Sequence, residues 1–264
     1  MEFPATITDM MGRSITLMQR PRRIISLVPS QTELLAHLGL DEEVAGITKF
    51  CIHPEHWFRN KPRVGGTKQY DFKKVAALKP DLIIGNKEEN DKVQMEQLMQ
   101  LYPVWMSDIY GLADALRMIS SIGQITQRTT QAEELRLEIR NGFSMLENNH
   151  PKTRRVAYFI WRNPWMVAGQ HTFIDEMLNY CSLKNVFANS HSRYPEVTAE
   201  MLQAANPEVL LLSSEPYPFK EAHIAELHAI CPHAEVKLVD GELFSWYGSR
   251  LRLAPAYFRE LIRP

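Results

Sequence analysis

The chain reads as an α/β protein of two similar Rossmann-like lobes, each with a parallel sheet, joined by one long α-helix. Three observations predict this. Short β-branched apolar runs alternate with helical segments through the first part of the chain. The alternation stops between about Leu112 and Asn148, where no strand signal occurs and one amphipathic helix dominates. It then resumes at Arg155 with a second copy of the opening pattern. Strand–helix alternation argues for parallel sheets with helices on both faces.

Composition permits such a molecule. A length of 264 residues accommodates two lobes of about 110–130 residues each, and 45% apolar residues can fill their interiors. The formal net charge of −1 leaves no basic excess to recruit nucleic acid through phosphate contacts. No run approaches the roughly 18 apolar residues of a membrane span, so no membrane insertion is expected. The opening MEFPATITDMMGRSITL carries no basic segment followed by an apolar one. A periplasmic or cell-surface location is therefore expected if an upstream signal has been removed, and a cytoplasmic one otherwise. Cys51, Cys181 and Cys231 are odd in number and scattered, form neither a CxxC pair nor a zinc spacing, and read as isolated thiols.

The elements follow in order. Arg23–Val28 is a β-branched buried strand. Pro29 stops it, and Ser30 with Glu33 three residues on predicts a capping box for a helix ending at Gly39. Val44–Ile47 is a second strand. Asp71 caps the helix DFKKVAAL, which Lys79-Pro80 terminates. Leu82–Ile84 is a third strand, Val93–Leu101 a helix, and Val104–Met106 a fourth strand. In the middle, Thr130 and Glu133 form a capping-box pattern, and Leu135, Ile139, Phe143 and Leu146 then recur at helical spacing. The implied helix is about 19 residues and roughly 28 Å long, ending at Asn148-Asn149-His150-Pro151. Arg155–Trp161 is the next strand.

An internal repeat is visible. VAALKPDLII (Val75–Ile84) has a counterpart in LQAANPEVLL (Leu202–Leu211), with Pro80 matching Pro207 and the caps Asp71 and Thr198 at one offset. TELLAHLGL (Thr32–Leu40) likewise matches DEMLNYCSL (Asp175–Leu183). The expected division is 1–118 for the first lobe, 119–150 for the helical segment and 151–264 for the second lobe. A single helical connection is expected to limit hinge motion.

RIISLVPSQTELLAHLGL, KPRVGG and FKKVAALKPDLII together resemble the first lobe of the helical-backbone (class III) periplasmic binding proteins. These are the iron-siderophore, haem and cobalamin receptors of ABC importers. RYPEVTAEMLQAANPEVLLL resembles their second-lobe segment, and DGELFSWYGSRL the segment that closes their cleft. The resemblance covers nearly the whole chain. It implies a substrate-binding component that captures a ferric chelate, haem or a corrinoid between its lobes, with no intrinsic cofactor, and delivers it to an importer permease as a monomer. It places the ligand at the carboxyl ends of the strands, as open α/β sheets generally do.

That picks out loops: Ser30 and Gln31, Gly65 to Thr67, Gly85-Asn86, Trp161 to Trp165, Tyr194, Glu215 to Tyr217, and Phe244 to Arg250. Trp161, Trp165, Trp246 and Tyr247 offer broad rings suited to a flat macrocycle or a catecholate, or else to packing. Tyr194 precedes Pro195 where the cobalamin receptors carry tryptophan. Arg250 and Arg162 offer planar forks for a carboxylate or metal-bound oxygen, or for ordinary ion pairs. His53 and His56 in CIHPEHW are weak metal candidates, because two imidazoles across a proline form no established motif. Cobalamin-type receptors carry one docking glutamate per lobe. Glu200 matches the second, but Lys73 stands at the first, reversing the sign. The first-lobe tryptophans of those receptors are also missing, with Thr67 and Asn86 in their region.

Catalytic constellations are missing from the sequence. There are no paired acids, no GxSxG, no P-loop and no GxGxxG, so the chain is read as a receptor and not an enzyme. A metallo-enzyme on the same fold and a cytoplasmic chelate-binding protein stay open as alternatives.

Overall fold

A computed structural model describes residues 1–147 and 152–263. The chain divides into two compact units. The first comprises 1–109, 113–138 and 247–250; the second comprises 110–112, 139–246 and the C-terminal residues from 251. Both are α/β.

Unit 1 opens with an antiparallel hairpin, β1 (Ala5–Thr8) and β2 (Ser14–Leu17), in which Thr6 faces Thr16 and Ile7 faces Ile15. There follow β3 (Ile24–Ser26), α1 (Pro29–His37), β4 (Val44–Ile47), α2 (Glu55–Asn60), α3 (Phe72–Leu78), β5 (Leu82–Asn86), α4 (Lys92–Met99), β6 (Val104–Ser107) and α5 (Leu112–Ile125). The sheet is parallel, in the order β4-β3-β5-β6. β3, β5 and β6 are buried at every residue, as expected of strands covered on both faces. Ile25, Leu27, Val75, Ile83, Leu98 and Val104 lie in one of its apolar clusters.

The long helix α6 runs Thr129–Glu147; its residues to 138 belong to unit 1 and those from 139 to unit 2. Leu135, Ile139, Phe143 and Leu146 are all buried, so the apolar stripe is its packed face. The helix starts one residue before Thr130, and Glu133 does not act as a capping-box partner. Its carboxylate instead accepts from Ser120 Oγ at 3.1 Å and pairs with Arg136 at 2.5 Å. The expected end at Asn148–Pro151, and with it the boundary near residue 150, lies outside the described residues. Residues 113–138 pack with unit 1.

Unit 2 continues with β7 (Arg154–Trp161), β8 (Met166–Val167), α7 (Phe173–Tyr180), β9 (Leu183–Asn185), α8 (Ala199–Ala205), β10 (Val209–Ser213), α9 (Glu221–Ile230), β11 (Glu235–Val239), α10 (Gly241–Ser245) and α11 (Ala254–Leu261). β7, β9, β10 and β11 are parallel, in the order β9-β7-β10-β11, and β8 adds antiparallel to β7. This order repeats β4-β3-β5-β6, so the internal repeat of the sequence is a repeat of topology.

The matched turns agree in backbone detail. Asp71 accepts from Lys73 N and Lys74 N at the start of α3, and Thr198 accepts from Met201 N at the start of α8. Both helices then close through a left-handed residue before the proline, Lys79 at φ 45° and Asn206 at φ 47°. Gly39 and Ser182, after α1 and α7, are left-handed at φ 71° and 54°. α1 departs from the sequence reading. Its cap position is Val28, no side chain caps it, and Ser30 lies inside the first turn.

Candidate functional site

The candidate residues gather at the carboxyl ends of the strands of each unit, where the two units differ in chemistry.

In unit 1 the strand ends are closed by a network of polar side chains in which Gln31 Oε1 is left buried without a hydrogen-bond partner. Gln31 is fully buried, and its Nε2 donates to Ser107 Oγ at 2.5 Å. Asn86 Nδ2 donates to the same oxygen at 3.0 Å, while Asn86 Oδ1 accepts from Glu88 N and Glu89 N. Asn90 Nδ2 donates to Thr67 O at 3.1 Å, and Tyr70 Oη donates to the same carbonyl at 2.6 Å. Gln31 and Asn86 thus tie α1, β5 and β6 together and face inward; loop placement had suggested open rim residues. Ser30 is also buried, at 2% exposure. Thr67 is half-buried. Gly65 sets the turn before it at φ 125°, where a Cβ would lie 2.3 Å from Gln69 O, so only glycine fits.

Tyr247 and Arg250 belong to unit 1. Tyr247 is 6% exposed and donates to Glu89 Oε1 at 2.5 Å. Burial, then the adjacent Glu89 carboxylate, hold its phenol well above the ordinary range. Arg250 spans both oxygens of Glu33, at 3.0 and 2.7 Å. Gly248 between them packs so closely on α1 that a Cβ would lie 2.3 Å from Ser30 O. The segment is fastened to α1, and Arg250 is committed to a bidentate pair.

Unit 2 presents aromatic rings. Trp161, the last residue of β7, is 41% exposed. Its ring meets Tyr217 edge-on at 5.7 Å between centroids. Tyr217 stands beyond the end of β10, with its hydroxyl 3.3 Å from His223 Nε2. Behind them Trp165 stacks on Phe219 at an interplanar angle of 6° and packs on the unit's core. Arg162 lies over the Trp165 ring and is bound by both oxygens of Glu226 at 2.9 Å. Trp165 and Arg162 therefore support the wall, and Trp161 with half-buried Tyr217 forms its open part. Tyr194 is half-buried, and the Arg193 guanidinium lies over both its ring and that of Tyr110, at 5.8 and 5.2 Å from the centroids. Tyr217 and His223 form part of this wall; His223 gave no sequence signal, because it enters from the first turn of α9.

Trp246 stands just past α10 in extended backbone. It caps the end of α10 at 6% exposure, and its Nε1 donates to Glu215 Oε1 at 2.8 Å. Ser245 Oγ donates to the same oxygen at 2.7 Å. Burial pushes the Glu215 carboxyl above its usual range, and these two donors act against that shift.

His56 is exposed, 3.3 Å from Asp41, and His53 is half-buried before Pro54. Trp57 Nε1, the leading cause, holds Asp41 below its usual range. Among the described residues no group of three or more His, Cys, Asp or Glu side chains converges as a metal site, nor is any helix long and apolar enough to cross a membrane. Lys73 and Glu200 are both exposed in the first turns of α3 and α8; the Thr198 hydroxyl holds Glu200 below the ordinary carboxylate range.

Comparison with known proteins gives a consistent result. The family model described as "Periplasmic binding protein" matches residues 24–229. A vitamin B12-binding protein of Vibrio parahaemolyticus is 26% identical over 204 residues, covering 76% of this chain and 74% of its own. An uncharacterised ABC transporter substrate-binding lipoprotein of Bacillus subtilis is 26% identical over 263 residues, covering 94% and 82%. Among solved structures, the periplasmic vitamin B12-binding protein of Vibrio cholerae superposes with a TM-score of 0.79 at 21% identity, covering 92% of this chain and 97% of its own. The periplasmic haem-binding protein of Roseiflexus sp. RS-1 gives 0.79 at 19%, covering 92% and 99%. An Fe3+-hydroxamate transport protein of Saccharomonospora viridis gives 0.77 at 20%, covering 100% of both. At these identities the structures share the fold with the chain.

Proposed function

The chain belongs to the periplasmic binding protein family, and from that premise we propose that it is the substrate-binding component of an ABC importer with a corrinoid, haem or ferric siderophore as cargo. The observation that carries the ligand class is the pair of rings at the strand ends of unit 2. Trp161 stays 41% exposed beside Tyr217, although a free indole face gains from burial. A broad conjugated or chelate ligand covers such rings at little entropic cost. His223 Nε2 beside the Tyr217 hydroxyl adds polar character suited to a metal-bound or hydroxyl-rich ligand. Thr67 and Tyr194 are the candidate contacts from the other strand-end loops. The task is capture and delivery, not catalysis, and the working location is outside the cytoplasm, as the words "periplasmic" and "lipoprotein" in the relatives' descriptions suggest.

Docking on the permease would use Glu200 and Lys73. They hold the same offset after matched caps but carry opposite charge, so the permease must offer unlike charges at the two points or leave Lys73 outside the contact.

Titration with cyanocobalamin, haemin and a ferric hydroxamate, read by absorbance and thermal shift, tests this reading. One of the three at a hundred times its Kd should add about 2.7 kcal/mol of stability. Trp161→Ala should weaken that ligand by about 1–3 kcal/mol and leave unfolding nearly unchanged. If none of the three binds, the ligand class is wrong. If one binds with Trp161→Ala at wild-type strength, the aromatic wall is not the contact.

A further inference from the structure

The other end of the unit 2 sheet carries a cavity of about 290 Å³. Arg154, Leu183 and Val209 are the first residues of the parallel strands β7, β9 and β10; all three line this cavity, whereas Trp161 ends β7 at its opposite tip. The floor is apolar: Leu183, Val209 and Leu211 are buried side chains of the sheet, and Ile262 follows the end of α11. Four cations stand around it, Lys152, Arg154, Lys237 and Arg263. Among the described residues, Glu235 is the carboxylate bound to them. It reaches Arg154 at 2.8 Å through one oxygen and Lys237 at 2.8 Å through the other. Glu208 acts on Lys152 and Arg154 only at longer range, because its carboxylate is held by Arg155 N at 2.8 Å.

An apolar recess ringed by surplus positive charge is an incomplete arrangement. Lys152 and Arg263 are exposed and Arg154 and Lys237 half-buried, so one bound carboxylate among four cations leaves a positive potential over the apolar floor that favours an anionic group there. The open space equals roughly ten times the 30 Å³ that a water occupies in the liquid. It therefore suits a ligand of about ten non-hydrogen atoms, apolar for most of its length and anionic at one end. We propose that this cavity is a second binding site, distinct from the aromatic wall, for a small amphiphilic carboxylate: its apolar body lies on Val209 and Leu211 and its carboxylate lies among the rim cations. Both Lys237 and Arg154 keep donors for it beyond those given to Glu235, and Lys152 and Arg263 complete the ring.

Decanoate, below its micellar concentration, is the probe, titrated calorimetrically into the full chain beside decanol. Decanoate should bind at one saturable site and decanol at least tenfold more weakly. The double substitution Lys237→Met with Arg263→Glu should weaken decanoate at least tenfold, as should Ile262→Trp, which fills the cavity from a half-buried position. Trp161→Ala should leave decanoate binding unchanged, separating this site from the importer ligand's. The proposal is overturned if decanoate shows no saturable binding, if decanol matches it, or if both cavity variants, folded by circular dichroism, bind it like the parent.

Discussion

Replacing Trp246 with phenylalanine removes one donor from a half-buried carboxyl while keeping most of the ring. Trp246 is 6% exposed, and Glu215 Oε1 accepts from both Trp246 Nε1 and Ser245 Oγ. Hydrogen bonds to charged groups contribute about 1.5–3 kcal/mol, so Trp246→Phe should cost that much where Glu215 is ionised. Trp246→Ala should cost about 3–5 kcal/mol, the range for deleting a buried aromatic. The sign of the pH dependence follows from Glu215. Burial raises its pKa in the folded state, with Glu242 and Asp240 adding to the rise. The folded protein therefore holds this proton more tightly than the unfolded chain. The resulting penalty is absent below the ordinary glutamate range and grows as pH rises through the raised value. Taking away the Trp246 donor raises the pKa further, so the cost of Trp246→Phe should be larger at pH 8 than at pH 4. Glu215→Gln keeps an oxygen acceptor and removes the half-buried charge. It should be neutral or stabilising at pH 8, and in that background the cost of Trp246→Phe should lose its pH dependence. Urea unfolding of the parent, the two single variants and the double variant across this range measures both effects. A pH-independent cost of Trp246→Phe, the same whether glutamate or glutamine occupies position 215, would refute the coupling.

Other perturbations have simpler readings. Arg250→Met should destabilise by about 1–3 kcal/mol, because it leaves the Glu33 carboxylate without its fork; chemical unfolding measures it. Gly65→Ala should cost about 1–3 kcal/mol in the same assay, since the new Cβ would lie 2.3 Å from Gln69 O on a left-handed backbone. Glu200→Lys should slow association with the cognate permease in low salt, with the difference fading as salt rises; surface plasmon resonance reads the rate, and ligand affinity should not change.

Backbone chemistry was legible in the sequence because it is local. Asp71 and Thr198 cap the helices their spacing indicated, and the residues before Pro80 and Pro207 both turn left-handed where a helix must stop. The buried stripe of α6 follows from four apolar residues at helical spacing. The hairpin β1–β2 gave no strand signal of the kind that marked β3 to β6, because Thr and Ser interrupt its apolar residues in ATIT and SITL and leave no continuous apolar run. Side-chain partnerships were not legible, because they join residues far apart in the chain. Tyr247 meets Glu89 across 158 positions and Arg250 meets Glu33 across 217. Aromatic and basic residues in the segment from Phe244 to Arg250 predict ligand contacts, and the partners they have in the structure, Glu215 for Trp246 in unit 2 and Glu89 and Glu33 for Tyr247 and Arg250 in unit 1, gave no sequence signal.

The repeat explains why the two units share backbone turns but not site chemistry. A left-handed residue before a proline, or a cap at the first turn, is required by the strand–helix geometry itself, so Lys79 and Asn206 adopt nearly one φ despite unlike side chains. The strand ends carry no such requirement beyond satisfying their buried polar atoms. Unit 1 meets it in part with Gln31, Asn86 and Ser107, leaving Gln31 Oε1 unpaired, and unit 2 with Tyr158 donating to Ser213 at 3.1 Å and with the Glu215 cluster. Those solutions occupy the same end of each sheet, and exposed rings stand beyond them in both units, Trp161 at the end of β7 and Phe50, 51% exposed, just after β4. A ligand recognised through ring faces should accordingly lose more affinity from Trp161→Ala than from a conservative change at Thr67, such as Thr67→Ser. Equal losses at the two positions would mean that recognition is shared evenly between the units.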